Sequence, residues 1–248
     1  MDNKATQSDV ASVGDGILAQ HSAWKFSGSV VKSFDEHVRR SVPLYETAQQ
    51  IVVKLSDFFV NDHSLIYDIG TSTGEVALQL GHHHRHRTNA RIVGIDIEPD
   101  MIVQAEAKRC EQNINNVLFK VDDIIQYDFE SCDLFVAFYT LQFIRPSMRQ
   151  LVFERIYSAL NWGGAFLLFE KVRGEDARFQ DILTSLYNDY KLDQGYSPSE
   201  IIGKSQSLKG VLEPFSSQGN RDLLSRAGFS DTTTVFKYLC FEGVLAIK

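Results

Sequence analysis

The chain has 248 residues, 44% of them hydrophobic and 23% charged, with a formal net charge of −7. That is room for one large α/β domain or two small ones of an ordinary globular kind. No apolar run approaches the ~20 residues needed to cross a bilayer, and the acidic balance disfavours broad binding to phosphate backbones, so direct nucleic-acid binding is not expected.

In chain order, residues 1–20 read as a flexible polar tail with neither the basic nor the apolar region of a signal peptide. Residues 21–248 read as one domain. Two helices over 30–60 form an N-terminal cap within 21–60, and Pro43 can open the second because the first turn does not need its missing N–H. From Ser64 the pattern switches to short apolar strands at 64–69, 91–95, 116–121, 132–138 and 164–170. Helices fall between them at 74–82, 99–113 and 146–160. Such alternation predicts an α/β doubly wound, mostly parallel sheet. The run His82 to Arg87 falls where the first of these helices ends. Its spacing fits no standard metal site, so it reads as a solvated helix end and no metal is expected.

The turn NWGG, 161–164, ends a helix and starts a strand. Residues 172–220 read as polar helices with tyrosines interspersed. A helix at 220–229 follows, then a C-terminal hairpin around Glu242-Gly243, whose last strand should run antiparallel to the others. Cys110, Cys132 and Cys240 are scattered and form no CxxC pair, which suggests neither a disulfide framework nor a zinc site. A reducing cytoplasm fits that usage best.

The chemistry concentrates in LIYDIGTSTGEVALQL, 65–80. Asp68 ends the first strand, on the sheet edge where open α/β folds bind ligands. Gly70 and Gly74 let the backbone turn sharply and approach a ligand. Asp96 ends the second strand, ~20 residues on, the distance expected of an acid that bonds ribose hydroxyls. Asp122-Asp123 ends the third strand, and either acid could serve there. A dinucleotide would want G-x-G-x-x-G against a helix N-terminus. Here the middle position is Ser72, and Glu75 would set a negative charge beside the pyrophosphate. A cofactor carrying an ammonium and a sulfonium suits these acids better.

This set resembles the class I S-adenosylmethionine-dependent methyltransferase superfamily, with its seven-stranded Rossmann-like sheet ending in an antiparallel hairpin. RRSVPLY (39–45), TLQFI (140–144), IYSALNWGGAFLLFEK (156–171), GYSPSEI (195–201) and LLSRAGF (223–229) resemble, more specifically, the carboxy-S-adenosylmethionine synthase family. The family was formerly described as tRNA uridine-34 methyltransferases, and the likeness runs over about residues 24–248. It implies cofactor contacts at Tyr45, Gly70, Thr71, Ser72, Asp96, Ile97, Asp123 and Ile124, with Asp68 and Gly74 completing the loop. It also implies a homodimer with 172–220 as a helical lid. Two positions depart from the family. Its cofactor-contacting asparagine at the end of the fourth strand is Phe138 here. Its carboxylate-binding arginine, supplied by the partner subunit, falls at Ser205.

The resemblance therefore leaves three readings. The first is methyl transfer from S-adenosyl-L-methionine to a small-molecule acceptor, favoured by Phe138 and Ser205. The second is synthesis of carboxy-S-adenosyl-L-methionine from S-adenosylmethionine and prephenate. The third is a non-catalytic cofactor-binding subunit, since fold does not dictate function. In-line methyl transfer draws much of its rate from holding the reactants in near-attack geometry. Candidate catalytic groups near the mouth are His37, Tyr139, Glu170 and Tyr196. Of these, His37 could take a proton at neutral pH.

Overall fold

The computed structural model describes residues 11–15, 17–19 and 29–248. Part of the segment expected as a tail is a short antiparallel hairpin of β1 (Ala11–Ser12) and β2 (Leu18–Ala19). Two helices follow, α1 (Ser29–Ser41) and α2 (Tyr45–Ser56). Pro43 does not open the second. Leu44 sits in the left-handed region (φ 53°), so a tight turn intervenes and the helix starts at Tyr45.

The α/β core then runs β3 (Leu65–Ile69), α3 (Glu75–His83), β4 (Arg91–Asp96), α4 (Pro99–Glu111), β5 (Val117–Val121), β6 (Cys132–Phe138), α5 (Pro146–Ala159) and β7 (Leu160–Lys171). The lid region holds α6 (Ala177–Asp193) and α7 (Pro198–Ser207). Next come α8 (Ser217–Ala227) and the hairpin of β8 (Asp231–Tyr238) and β9 (Phe241–Ile247). α7 starts at a full capping box between Ser197 and Glu200, with Pro198 in its first turn.

One sheet of seven strands has the order β5-β4-β3-β6-β7-β9-β8. The five strands from β3 to β7 are parallel, and β9 runs antiparallel to both neighbours. β3 is buried at every position, as a central parallel strand covered on both faces must be. Its side chains alternate between two cores. Ile66 packs with Leu80, Ile92 and Leu167 on one face, while Tyr67 and Ile69 pack with Phe135, Phe153 and Phe166 on the other.

Two turns differ from expectation. NWGG lies inside β7, where the register with β6 jumps from Cys132↔Leu160 to Leu134↔Ala165 and Asn161 to Gly164 bulge out. The C-terminal turn is at Leu239–Cys240, not at Glu242-Gly243. Those two residues are in β9. A Cβ at Gly243 would stand 2.4 Å from the Phe169 ring, so this glycine is a packing requirement of the strand.

The strand order reverses between β3 and β6. The loops leaving the C-terminal ends of these strands therefore diverge and open a crevice, the usual ligand position in such sheets.

Candidate active site

The loop after β3 is held from below by its neighbour strand. The N–H groups of Gly70 and Thr71 both donate to the Ile95 carbonyl, at 2.7 and 2.9 Å. Gly70 has φ 70°, and a Cβ there would lie 2.1 Å from Thr140 Cγ2. Ser72 has φ 53°, the left-handed conformation that glycine takes without strain. Serine holds it because its N–H donates to Asp96 Oδ2 at 2.8 Å. Asp68 is buried beneath the loop. Its Oδ2 accepts from Thr71 Oγ1 at 2.6 Å. Burial pushes its pKa up to about 7, opposed by the Thr71 hydroxyl and the Ala77 N–H. Asp68 thus anchors the loop from inside. Gly74, at φ 81°, caps α3.

The strand-end acids converge on a cavity of about 1060 Å³ that also reaches the lid helices. Asp96 Oδ1 accepts from the Glu98 N–H at 3.0 Å, and burial raises its pKa. The carboxylate takes backbone N–H groups from Ser72, Ile97 and Glu98, which leaves acceptor capacity for one hydroxyl partner. Of the third-strand pair, Asp123 is the more enclosed, with its Oδ1 accepting from the Ile125 N–H at 2.9 Å. Asp122 is exposed and caps the Asp123 N–H. Ile97, 61% exposed, and Ile124 line the cavity beside them, as an apolar ring would require. Phe138 and Tyr139 close the far side. Tyr45 meets the Phe138 ring edge-on at 5.2 Å and stacks with Tyr139 at 6.3 Å.

The four candidate catalytic residues separate sharply. Tyr139 lines the cavity, and its buried hydroxyl has no hydrogen-bond partner among the described residues. His37 also lines it, but is only 2% exposed. Its Nδ1 donates to Asp15 Oδ2 at 2.6 Å, and its Nε2 accepts from Lys204 Nζ. Burial, then the Lys204 charge, push it down to about 4. With its basic nitrogen occupied, His37 serves as a link between α1, the β1–β2 hairpin and α7.

Tyr196 is outside the cavity wall. Its hydroxyl donates to Asp15 Oδ2 at 2.6 Å, and the Arg40 guanidinium stands 4.6 Å over its ring. Glu170 also faces away from the cavity. Its Oε1 accepts from the Leu141 N–H at 3.0 Å, and burial pushes it up to about 8, opposed by the Arg149 charge. It fixes the turn after β6 and touches no space an acceptor could fill.

Within the histidine run His82, Arg85 and His86 are exposed, as a solvated helix end should be, but His84 is not. His84 is fully buried; its Nε2 donates to Ser56 Oγ at 2.7 Å, since that hydroxyl already donates to Val53. Its Nδ1 accepts from Arg87 Nε at 3.2 Å. Asp57, His83 and His84 bring donor atoms within 4.8 Å of one another. Both His84 nitrogens are committed, however, and Arg87 stands beside them. Lys171, Lys191 and Lys204, none of them a candidate from the sequence, also line the main cavity.

Comparison with known proteins agrees with this geometry. Residues 66–164 match a family model described as a methyltransferase domain. The chain is 36% identical over 226 residues to the carboxy-S-adenosyl-L-methionine synthase of Staphylococcus epidermidis, covering 91% of this chain and 97% of that protein. It is 34% identical to the Campylobacter jejuni protein of the same name, covering 91% and 94%. An S-adenosylmethionine-dependent methyltransferase from Aquifex aeolicus shares the fold, with a TM-score of 0.60 at 16% identity over 90% of this chain and 99% of that one. The cofactor is S-adenosyl-L-methionine, which the donor set fits: strand-end acids, a tight backbone loop and an apolar slot at Ile97 and Ile124. The chain is an enzyme of the carboxy-S-adenosyl-L-methionine synthase family, within the class I S-adenosylmethionine-dependent methyltransferase superfamily.

Proposed function

We propose that the chain transfers the methyl group of S-adenosylmethionine to a small-molecule acceptor. The observation that carries this reading is Phe138. It lies at the end of β6 and packs against Tyr45, Tyr139 and Phe169 at 4.8 to 5.2 Å between ring centres. It presents an aromatic wall where the resemblance implies an amide contact to the carboxylated cofactor. Ser205 supports it. A short hydroxyl at this position of α7 lacks the planar fork with which, by the resemblance, an arginine reaching from the partner subunit would grip a carboxylate bidentately.

Asp96, Asp123 and the close-approaching backbone of the 70–74 loop would hold the cofactor, with Asp68 bracing the loop. When bound, it supplies an electrophilic methyl on a sulfonium. Tyr45, Phe138 and Tyr139 would keep water from the approach line, and the Tyr139 hydroxyl would orient the acceptor. Correct placement does most of the work in such a displacement, so no strong base is required. A cytoplasmic homodimer, as the resemblance implies, belongs to this reading, and light scattering on the purified chain tests the dimer.

The names of the curated relatives favour a second reading, carboxy-S-adenosylmethionine synthesis with prephenate as co-substrate. The mass of the small molecule that copurifies separates the two. Plain S-adenosylmethionine or its demethylated product, unchanged when prephenate is added, supports methyl transfer. A cofactor heavier by one carboxylate overturns it. Tight binding without turnover across a broad acceptor panel would favour a regulatory subunit instead.

A further inference from the structure

The lid helix α7 is held from outside the sheet. Among the described elements it packs chiefly on β1, the first strand of the N-terminal hairpin. Val13 and Ile17 of that hairpin are buried with Phe34 of α1, and with Leu208 and Val211 at the end of α7. Gly14 sits against the Tyr196 ring, where a Cβ would stand 2.2 Å from Cε1. Asp15 carries the polar half of the contact. Its side chain is 3% exposed. It accepts from the Tyr196 hydroxyl and from His37 Nδ1, each at 2.6 Å, and from the Arg40 guanidinium.

These contacts grip α7 at three points along its length. Tyr196 lies just before the helix, His37 passes the Asp15 contact on to Lys204 in its middle, and Leu208 caps its end. The helix is also cavity wall. Ile201, Lys204 and Leu208 line the space above the cofactor loop, as does Phe34, whereas Val13, Gly14, Asp15 and Ile17 do not. The hairpin therefore works on the site only through α7 and α1. Burial opposes ionisation of Asp15, yet hydrogen bonds from Tyr196 and His37 hold its carboxyl below the ordinary range. A buried carboxylate is favourable with its donors in place and costly with one missing, so the cluster is made or released as a unit. The hairpin also precedes the stretch, about residues 24–248, that carries the family likeness.

We infer that the β1–β2 hairpin is a strap on the lid, and that Asp15 is the positioning residue that seats α7 against the cavity and sets how fast an S-adenosyl ligand enters and leaves. The inference goes beyond the proposed reaction and requires only that the cavity take such a ligand. Asp15 reaches none of the cavity space and acts through Tyr196, His37 and α7. Lid opening is the slow step of turnover in many enzymes. A latch that never touches the ligand holds the free and the loaded lid shut alike. Weakening it opens both, so entry and exit quicken together, and affinity is kept while the closed lid stays the major form.

The test uses the full chain and S-adenosylhomocysteine. Exit is timed by chasing the radiolabelled ligand with unlabelled, affinity is read by calorimetry, and the two together give the entry rate. Asp15→Asn should quicken exit and entry by about tenfold or more, the loss of a charged partner in the latch, with affinity within about threefold of the parent. Tyr196→Phe keeps the ring against Gly14 and removes one hydrogen bond, so it should quicken both rates by a smaller factor, about fivefold. It carries the test if Asp15→Asn fails to fold. Rates unchanged in both variants would overturn the inference. So would faster exit with affinity lost in proportion and entry unmoved, since that places the effect in the binding site itself. A parent chain that binds no S-adenosylhomocysteine sinks the cofactor assignment and the strap with it, whereas binding with unmoved rates sinks the strap alone.

Discussion

Gly70→Ala tests the loop geometry most directly. At φ 70° an alanine takes on the left-handed penalty of about 1–2 kcal/mol. Its Cβ would also sit 2.1 Å from Thr140 Cγ2 and 2.4 Å from Thr140 Oγ1, far inside the ~3.5 Å of ordinary contact. Thr140 must rotate or its backbone must shift, at about 1–3 kcal/mol for overpacking of this kind. Against these stands about 0.4–1 kcal/mol gained by stiffening the unfolded chain. The net expectation is about 2–4 kcal/mol of destabilisation, read from the urea midpoint, and S-adenosylmethionine affinity weakened by tenfold or more, read by calorimetry. Thr140→Gly in the same chain should return the steric part and leave the φ part, giving a coupling of about 1–3 kcal/mol in a double-mutant cycle. A Gly70→Ala protein that loses under 1 kcal/mol and binds normally would refute the reasoning. So would a Thr140→Gly partner that recovers nothing, because every predicted clash is with that side chain.

Ser72→Gly should relieve left-handed strain of about 1–2 kcal/mol and give back about half in unfolded-chain entropy; the denaturant midpoint should rise slightly, with cofactor affinity kept, since the Ser72 N–H to Asp96 survives. Glu170 is protonated in the fold up to about pH 8 but ionises near 4.5 when unfolded, so the parent should lose stability as pH rises between those values, at up to about 1.4 kcal/mol per pH unit. Glu170→Gln should flatten that slope in melts from pH 5 to 8.5, and an unchanged slope would assign the titration elsewhere. Asp15→Asn should loosen the contacts to His37, Arg40 and Tyr196. Hydrogen exchange should then quicken in α7 while the sheet strands stay protected, and equal quickening everywhere would contradict a local latch.

The sheet and the cofactor loop were legible because their signals are local. Each strand is a short apolar run, and Asp68, Asp96 and Asp123 each end one. The loop's tolerance of Ser72 was legible only as a resemblance. Its physical reason, a positive φ held by the Asp96 carboxylate across β4, needs two strands in register. The catalytic candidates were harder, because burial direction is not written in residue type. Glu170 and Lys171 are adjacent on β7, yet one turns to the Leu141 N–H and the other to the cavity. His37 read as a candidate proton acceptor near the mouth, and what occupies it is Asp15, from a stretch that reads as a polar tail. The C-terminal turn was misplaced because glycine signals a turn in sequence, whereas Gly243 makes room for Phe169.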